Sequence, residues 1–271
     1  MDTNALNTTD GKYALITGAT SGIGYELAKV FAEHGYNLVI VARTPEDLNT
    51  TADELADQYG INVIPIAKDL FQDNAAFDVY EEVKSHQVQI NVLVNDAGQG
   101  VYGLFAEGDI RKQLQIIDLN VKSLTALTYL FLQDMTARNE GKILQLASIV
   151  SDIPAPLQAV YGGTKAFVLS FSEALRNELK DTNITITSLQ PGATDTDFFN
   201  KAGAQDSKLA KETKLSDPAD VARDGFDALM KGEDKIVSGF KNKVQSAMSN
   251  VMSDETLAAQ MRKQSERSEK D

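Results

Sequence analysis

Cysteine and tryptophan are absent from this sequence, and histidine occurs only twice in 271 residues. Without cysteine there is no disulfide, no thiolate nucleophile and no thiolate metal site. His34 and His86 each lie near the end of a helical pattern, where a solvated imidazole at a helix terminus is the simpler reading. Serine–histidine and histidine–metal chemistry are therefore not expected, and no metal is assigned. Positive charge is also scarce: 26 lysines and arginines stand against 39 aspartates and glutamates, a net charge of −13. That balance opposes a phosphate backbone, so nucleic acid is not an expected partner. No apolar run approaches the roughly 20 residues that span a bilayer. The opening MDTNALNTTDGK lacks the basic start and apolar stretch of a secretory signal. No membrane partner and a cytoplasmic address are the resulting expectations.

What is present has the composition of an ordinary globular protein, 42% hydrophobic and 24% charged. Short β-branched runs recur: YALIT (13–17), LVIVA (38–42), NVIPIA (62–67), INVLV (90–94), KILQLA (142–147), ITITSL (184–189) and a weaker KIVSGF (235–240). Helical patterns separate them, which predicts βαβ units and a parallel sheet buried on both faces. The right-handed crossover rule then favours an α/β, doubly wound (Rossmann-type), mostly parallel seven-stranded sheet in three layers. One domain over 1–240 is expected, with a long helix over 110–138 and a helical tail over 241–271. The tail has a short apolar face of Val244, Met248, Val251 and Met252. The stretch 193–216 is too long and too polar for a plain connection and reads as a lid.

After the first strand comes TGATSGIG (17–24), running into an amphipathic helix with Gly35 as its stop. Gly18, Gly22 and Gly24 allow a tight turn and close ligand approach. Ser21 and Ile23 open a helix whose N–H groups and dipole suit a phosphate. A turn that binds nothing is the alternative, but a strand before and a helix after are the context a dinucleotide loop requires. At the end of the second strand, where a ribose-binding carboxylate would stand, the sequence has Ala42-Arg43. An arginine pairs with a 2′-phosphate, so NADP(H) is expected over NAD(H).

The Tyr-x-x-x-Lys spacing occurs three times, at Tyr25/Lys29, Tyr80/Lys84 and Tyr161/Lys165. Tyr80 falls roughly 10 Å along its helix at about 1.5 Å per residue, away from the ligand-binding edge of the sheet. Tyr25 and Lys29 project away from the apolar stripe of theirs. Tyr161 instead falls in the first turns of a helix that follows strand KILQLA, Ser148 and a loop with two prolines. Lys165, Val168, Leu175 and Leu179 lie within about 40° of its direction, at about 100° per residue. A buried phenol beside an ammonium can be brought toward the working range as a proton donor and acceptor. Ser148 is placed to hold a carbonyl oxygen while a nicotinamide transfers hydride.

TGATSGIG, NDAG (95–98), Asn120, Ser148, YGGTK (161–165) and PG (191–192), in this order, resemble the short-chain dehydrogenase/reductase superfamily over about residues 12–240. The resemblance implies Tyr161 as general acid/base, Lys165 on the nicotinamide ribose, Ser148 on the substrate and Asn120 in a proton relay. It further implies Asp69 and Leu70 at the adenine and Asn95, Ala97 and Gly98 at the adenosine ribose. Pro191, Gly192, Thr194 and Thr196 would then stand at the nicotinamide end. The family usually has a second asparagine where this chain has Asp96, which changes the local hydrogen bonding. A homodimer or homotetramer is implied, and the apolar faces of 110–138 and of Phe167, Phe171 and Ala174 agree with it. The expected activity is NADP(H)-dependent interconversion of a carbonyl and an alcohol, run as a reductase because cellular NADPH is kept reduced. Small or medium ketones, aldehydes and 3-oxoacyl compounds are the substrate classes considered. The rivals are a non-catalytic NADP-binding sensor or scaffold and an epimerase or dehydratase of the longer-chain relatives.

Overall fold

The computed structural model describes residues 11–239, 242 and 252–269. Seven strands form one sheet in the order β3-β2-β1-β4-β5-β6-β7. They are β1 (Tyr13–Thr17), β2 (Asn37–Ala42), β3 (Val63–Ala67), β4 (Ile90–Asn95), β5 (Gly141–Leu146), β6 (Ile184–Gln190) and β7 (Lys235–Val237). Every pairing is parallel. The strand order reverses direction between β1 and β4, and in such sheets the crevice outside the strand carboxyl ends at that point is where ligands bind.

Burial on both faces explains why the strands read as continuous apolar runs rather than alternating ones. Ala14, Ile16, Leu38, Ile40, Val92 and Val94 point into one core with α1 (Gly22–Glu33), α2 (Pro45–Tyr59) and α9 (Pro218–Lys231). The residues between them, Leu15, Val39, Val41 and Leu93, point into a second core with α3 (Ala75–Ser85) and α5 (Leu124–Arg138). Phe31 anchors the first core, edge-on to both Tyr36 and Phe226 at 5.2 and 4.9 Å between centroids. The caps follow the sequence: Asp217 accepts the Ala219 N–H at 2.8 Å with Pro218 in the first helical turn, and Gly232 ends α9 at φ +71°.

The long helix expected over 110–138 is interrupted. α4 (Ile110–Ile117) and α5 are joined by a π-helical turn, Asp118–Ser123, and Asn120 sits in it. Single π-turns inside α-helices recur at functional sites.

The lid 193–216 holds two short helices, α7 (Phe198–Ala202) and α8 (Lys208–Glu212), and its ends are joined by a Thr194–Ser216 bridge. A last helix, α10 (Asp254–Ser265), capped by Ser253, folds back onto the lid and the loop after β5. Tyr102 donates its hydroxyl to the Ser265 carbonyl at 2.6 Å, and Lys208 N–H bonds the Glu266 carbonyl at 2.8 Å. Of the predicted apolar face of the tail, Met252 packs with this group. Val244, Met248 and Val251 lie outside the described residues.

Candidate active site

A cleft of about 1320 Å³ opens at the carboxyl edge of the sheet, running from the glycine loop and β2 to the lid and α10. At one end, Gly18 and Gly22 adopt φ +74° and +58°, left-handed values that glycine takes without strain. Gly18 N–H bonds the Val41 carbonyl at 2.8 Å, which folds the loop against β2. A Cβ on Gly22 would stand 3.0 Å from Thr196 Cγ2, so lid and loop meet with no room for a side chain. The N-terminus of α1 has no side-chain cap at Ser21 and no acidic residue in its first turn. Its N–H groups and positive dipole end face the cleft, an arrangement suited to an anion. Arg43 lines the cleft beside Ala42, 5.5 Å over the ring of Phe71, and forms no ion pair among the described residues.

At the other end, Ser148 follows β5 in extended geometry and starts a single 3-10 turn, Ile149–Ser151. Ser151 closes a reciprocal cap with Ser148 and donates its hydroxyl to the Lys165 carbonyl at 2.9 Å. That bond fixes the Ser148 loop against α6 (Ala159–Glu178), the helix that presents Tyr161 and Lys165. The Ser148 hydroxyl stands near enough to the Tyr161 phenol to favour its ionised form. Burial pushes the phenol up to about 12, the serine pulling against it. Lys165 is 4% exposed, and its amine donates to the Leu146 carbonyl at 2.6 Å and stands 5.9 Å from the Tyr161 ring centroid. Burial lowers the ammonium to about 8, with Asp96 opposing. The expectation that the lysine brings the phenol toward neutrality is therefore not met in this geometry: the amine is turned to a backbone carbonyl, and burial of the phenol dominates.

The other two Tyr-x-x-x-Lys pairs bring amine and ring equally close, 5.5 Å in each. Lys29 pairs with Glu26, whereas Tyr80 and Lys84 both bind Asp134 on α5. What sets Tyr161 and Lys165 apart is burial at the cleft, not spacing.

Gly18, Ser21, Gly22, Ile23, Arg43, Leu70, Ala97, Gly98, Ser148, Tyr161, Lys165, Pro191, Gly192, Thr194 and Thr196 all line the cleft. Four sequence-predicted residues stand behind its wall. Gly24 packs under Gly18, where a Cβ would fall 2.4 Å from the Gly18 carbonyl oxygen. Asp69 is spent on the turn after β3, accepting from Phe71 N–H and Gln72. Asn95 points into the sheet and donates to Thr128 and Gln145, both at 3.0 Å. Asn120 grips the backbone of Gln99 through both its amide oxygen and its nitrogen and also donates to Thr164 at 3.0 Å. Its side chain is thus a brace, with its amide oxygen and nitrogen already bonded to protein.

Sequence reasoning missed the apolar walls. Phe198, Phe199, Leu209, Ile149, Val150 and Met261 line the cleft, with the Phe198 ring 5.1 Å from that of Tyr161. The one available signal is the Phe-Phe pair in an otherwise small and polar stretch. Met261 in a charged tail gives none.

Residues 12–207 match the family described as short chain dehydrogenase. A probable NADP-dependent dehydrogenase of Haemophilus influenzae is 35% identical over 216 residues, 77% of this chain and 84% of that protein. A very-long-chain 3-oxoacyl-CoA reductase of Laccaria bicolor is 33% identical over 66% of this chain, which spans 54% of that enzyme's length. Among solved structures, a short-chain dehydrogenase from Sphingobium yanoikuyae in complex with NADPH superposes with a TM-score of 0.79. It is 28% identical over 90% of this chain and 96% of that one.

Proposed function

The chain belongs to the short-chain dehydrogenase family, and from that premise we propose that it is an NADP(H)-dependent reductase of uncharged ketones, aldehydes or 3-oxoacyl compounds, with Tyr161 as the proton donor. The observation that carries the reading is the placement of Ser148, Tyr161 and Lys165 together in the same cleft as an uncapped helix N-terminus and an arginine.

The residues present fit a phosphorylated dinucleotide. The glycine loop leaves a cradle that any Cβ at Gly22 would crowd, and the α1 terminus offers N–H groups to a diphosphate. Arg43, at the end of β2, would take the 2′-phosphate, and Lys165 would hold the nicotinamide ribose. The nicotinamide supplies a hydride when bound. Ser148 donates its hydroxyl hydrogen to the carbonyl oxygen and so orients the substrate carbon. As negative charge builds on that oxygen, Tyr161 O–H gives up its proton to it. A phenol raised to about 12 is fully protonated at neutral pH, which suits a proton donor to an alkoxide and so the reductive direction. Asn120 fixes Gln99 and Thr164, and Thr164 Oγ1 in turn bonds the Tyr161 carbonyl at 2.7 Å, so the brace sets the position of the phenol. Phe198, Ile149, Val150 and Met261 exclude water from the reacting oxygen and favour an apolar substrate body.

The test is NADPH oxidation with a panel of ketones, aldehydes and 3-oxoacyl thioesters. Tyr161→Phe should lose at least about 100-fold in kcat, the scale of one proton-transfer catalyst, and keep its NADPH Kd. Retention of substantial turnover would remove Tyr161 from its role. NADPH binding without turnover of any substrate would favour a sensor or scaffold.

A further inference from the structure

Asp96, the departure from the family's usual asparagine, lies at the foot of the glycine loop. It is 9% exposed. Its backbone N–H is held by Thr17 Oγ1 at 3.1 Å, and the nearby Gly24 N–H favours the charged form of its carboxyl. Oδ2 stands 2.5 Å from the place a Cβ on Gly24 would occupy and 3.0 Å from that of Gly18. The Gly18 carbonyl oxygen lies 2.4 Å from the same Gly24 position. Both oxygens thus crowd the space under Gly24, and the other carboxyl oxygen, Oδ1, is buried with no hydrogen-bond partner. An ionised carboxylate leaves this arrangement short of a hydrogen; a carboxylic acid supplies one.

The charged and titratable surroundings are simple. From β1 comes the Thr17 hydroxyl, and from α1 only backbone N–H groups. From α6 comes Lys165, the one charged side chain among the described residues whose field acts on the carboxyl; the Tyr161 phenol stands beyond that amine.

We propose that Asp96 is a proton-operated positioning residue: as the neutral acid it closes the glycine loop for the dinucleotide diphosphate, and as the carboxylate it repels that diphosphate and takes up the charge of Lys165. This rests on the proposed dinucleotide site. Burial, acting against Lys165 and the Gly24 N–H, raises the carboxyl to about 7, so both forms are within reach near neutrality. In the acid form the lysine charge is left to the ribose and the phenol. In the carboxylate form it is partly cancelled.

The isostere Asp96→Asn keeps an acceptor for Gly24 N–H and a permanent donor, and cannot ionise. NADPH binding, followed without substrate by calorimetry, should give a wild-type to D96N ratio of Kd near one at pH 6 that rises to about tenfold at pH 8, the slope of one linked proton. Titration of the 2′-phosphate is common to both proteins and cancels in the ratio. Runs in buffers of different ionisation enthalpy should show wild type taking up close to one more proton than D96N at pH 8.

A second measurement needs no nucleotide. A carboxyl raised above its unfolded value of about 3.9 contributes stability below that pH and loses it as pH rises through about 7. The Tm advantage of D96N over wild type should therefore grow between pH 5 and 8 by several degrees and then level off. A pH-independent Kd ratio, or a constant Tm difference, overturns the proposal. Failure of both proteins to bind NADPH, with the Tm difference still following pH, would instead overturn the cofactor reading and with it the clasp.

Discussion

At the residue scale, the proposed cofactor choice rests on Arg43. It stands in the cleft at the end of β2, its guanidinium over the Phe71 ring. A charge-assisted, forked contact to a phosphate is worth about 1.5–3 kcal/mol. Arg43→Ala should therefore raise KM for NADPH by about 10- to 100-fold and leave KM for NADH unchanged. Equal losses with both cofactors would show that the arginine does not read the 2′-phosphate. The site residues were legible in the sequence to the extent that their work is done by position. Ser148, Tyr161 and Lys165 are at the cleft because a strand end and a helix start put them there. Which way a side chain turns was not legible. Asn95 and Asp96 are neighbours in one motif, yet the first bonds to Thr128 and Gln145 within the sheet while the second reaches under the glycine loop.

At the scale of elements, the lid and α10 are one unit. The Tyr102 hydroxyl, the Lys208 amide and the Ser207–Arg267 bridge tie the last helix to the lid side of the cleft. Leu257 and Met261, one helical turn apart, press on Ile149 and Val150 just beyond Ser148. Replacing both with alanine should open the substrate end: KM for the carbonyl compound rises several-fold, while the NADPH Kd stays within about twofold, since the glycine loop lies at the far end. A loss of NADPH affinity equal to the loss of substrate affinity would contradict that division. The lid was legible as an anomaly of length and polarity. Its contact with α10 was not, because nothing in a charged tail says where in space its two buried apolar residues arrive.

For the whole molecule, the apolar face expected on 110–138 divides: Leu124, Phe131 and Met135 are buried, whereas its α4 end is uncovered. Ile110 and Leu114 on α4 are 54% and 52% exposed; Phe105, Tyr129 and Phe167 are exposed as well. Phe167 stacks on Phe171 of the same helix, with centroids 5.6 Å apart. On a protein of net charge −13, exposed apolar side chains of this kind suit a surface for another chain. A homo-oligomer through α4–α5 and α6 is the expected state. The double variant Leu114→Glu, Phe167→Glu should lower the mass measured by light scattering toward that of one chain. Wild type eluting as a single chain would refute the expectation directly.

The sequence by itself determined the architecture. Seven apolar runs separated by helical patterns can bury both faces only as a parallel sheet between helix layers, and the crossover rule leaves few orders for the strands. It also determined the chemistry on offer, because glycines after β1, an arginine after β2 and a serine after β5 sit where strands end. The tertiary structure decided what those groups experience. Three lysines lie four residues after a tyrosine, but only Lys165 is stripped of water. Only its tyrosine is pushed up to about 12, and only Asp96 has a carboxyl held between a glycine loop and that amine. The physical reason is that spacing along a chain fixes which groups can meet, whereas the free energy of a charge depends on how much solvent and which dipoles surround it, and those are supplied by segments distant in sequence.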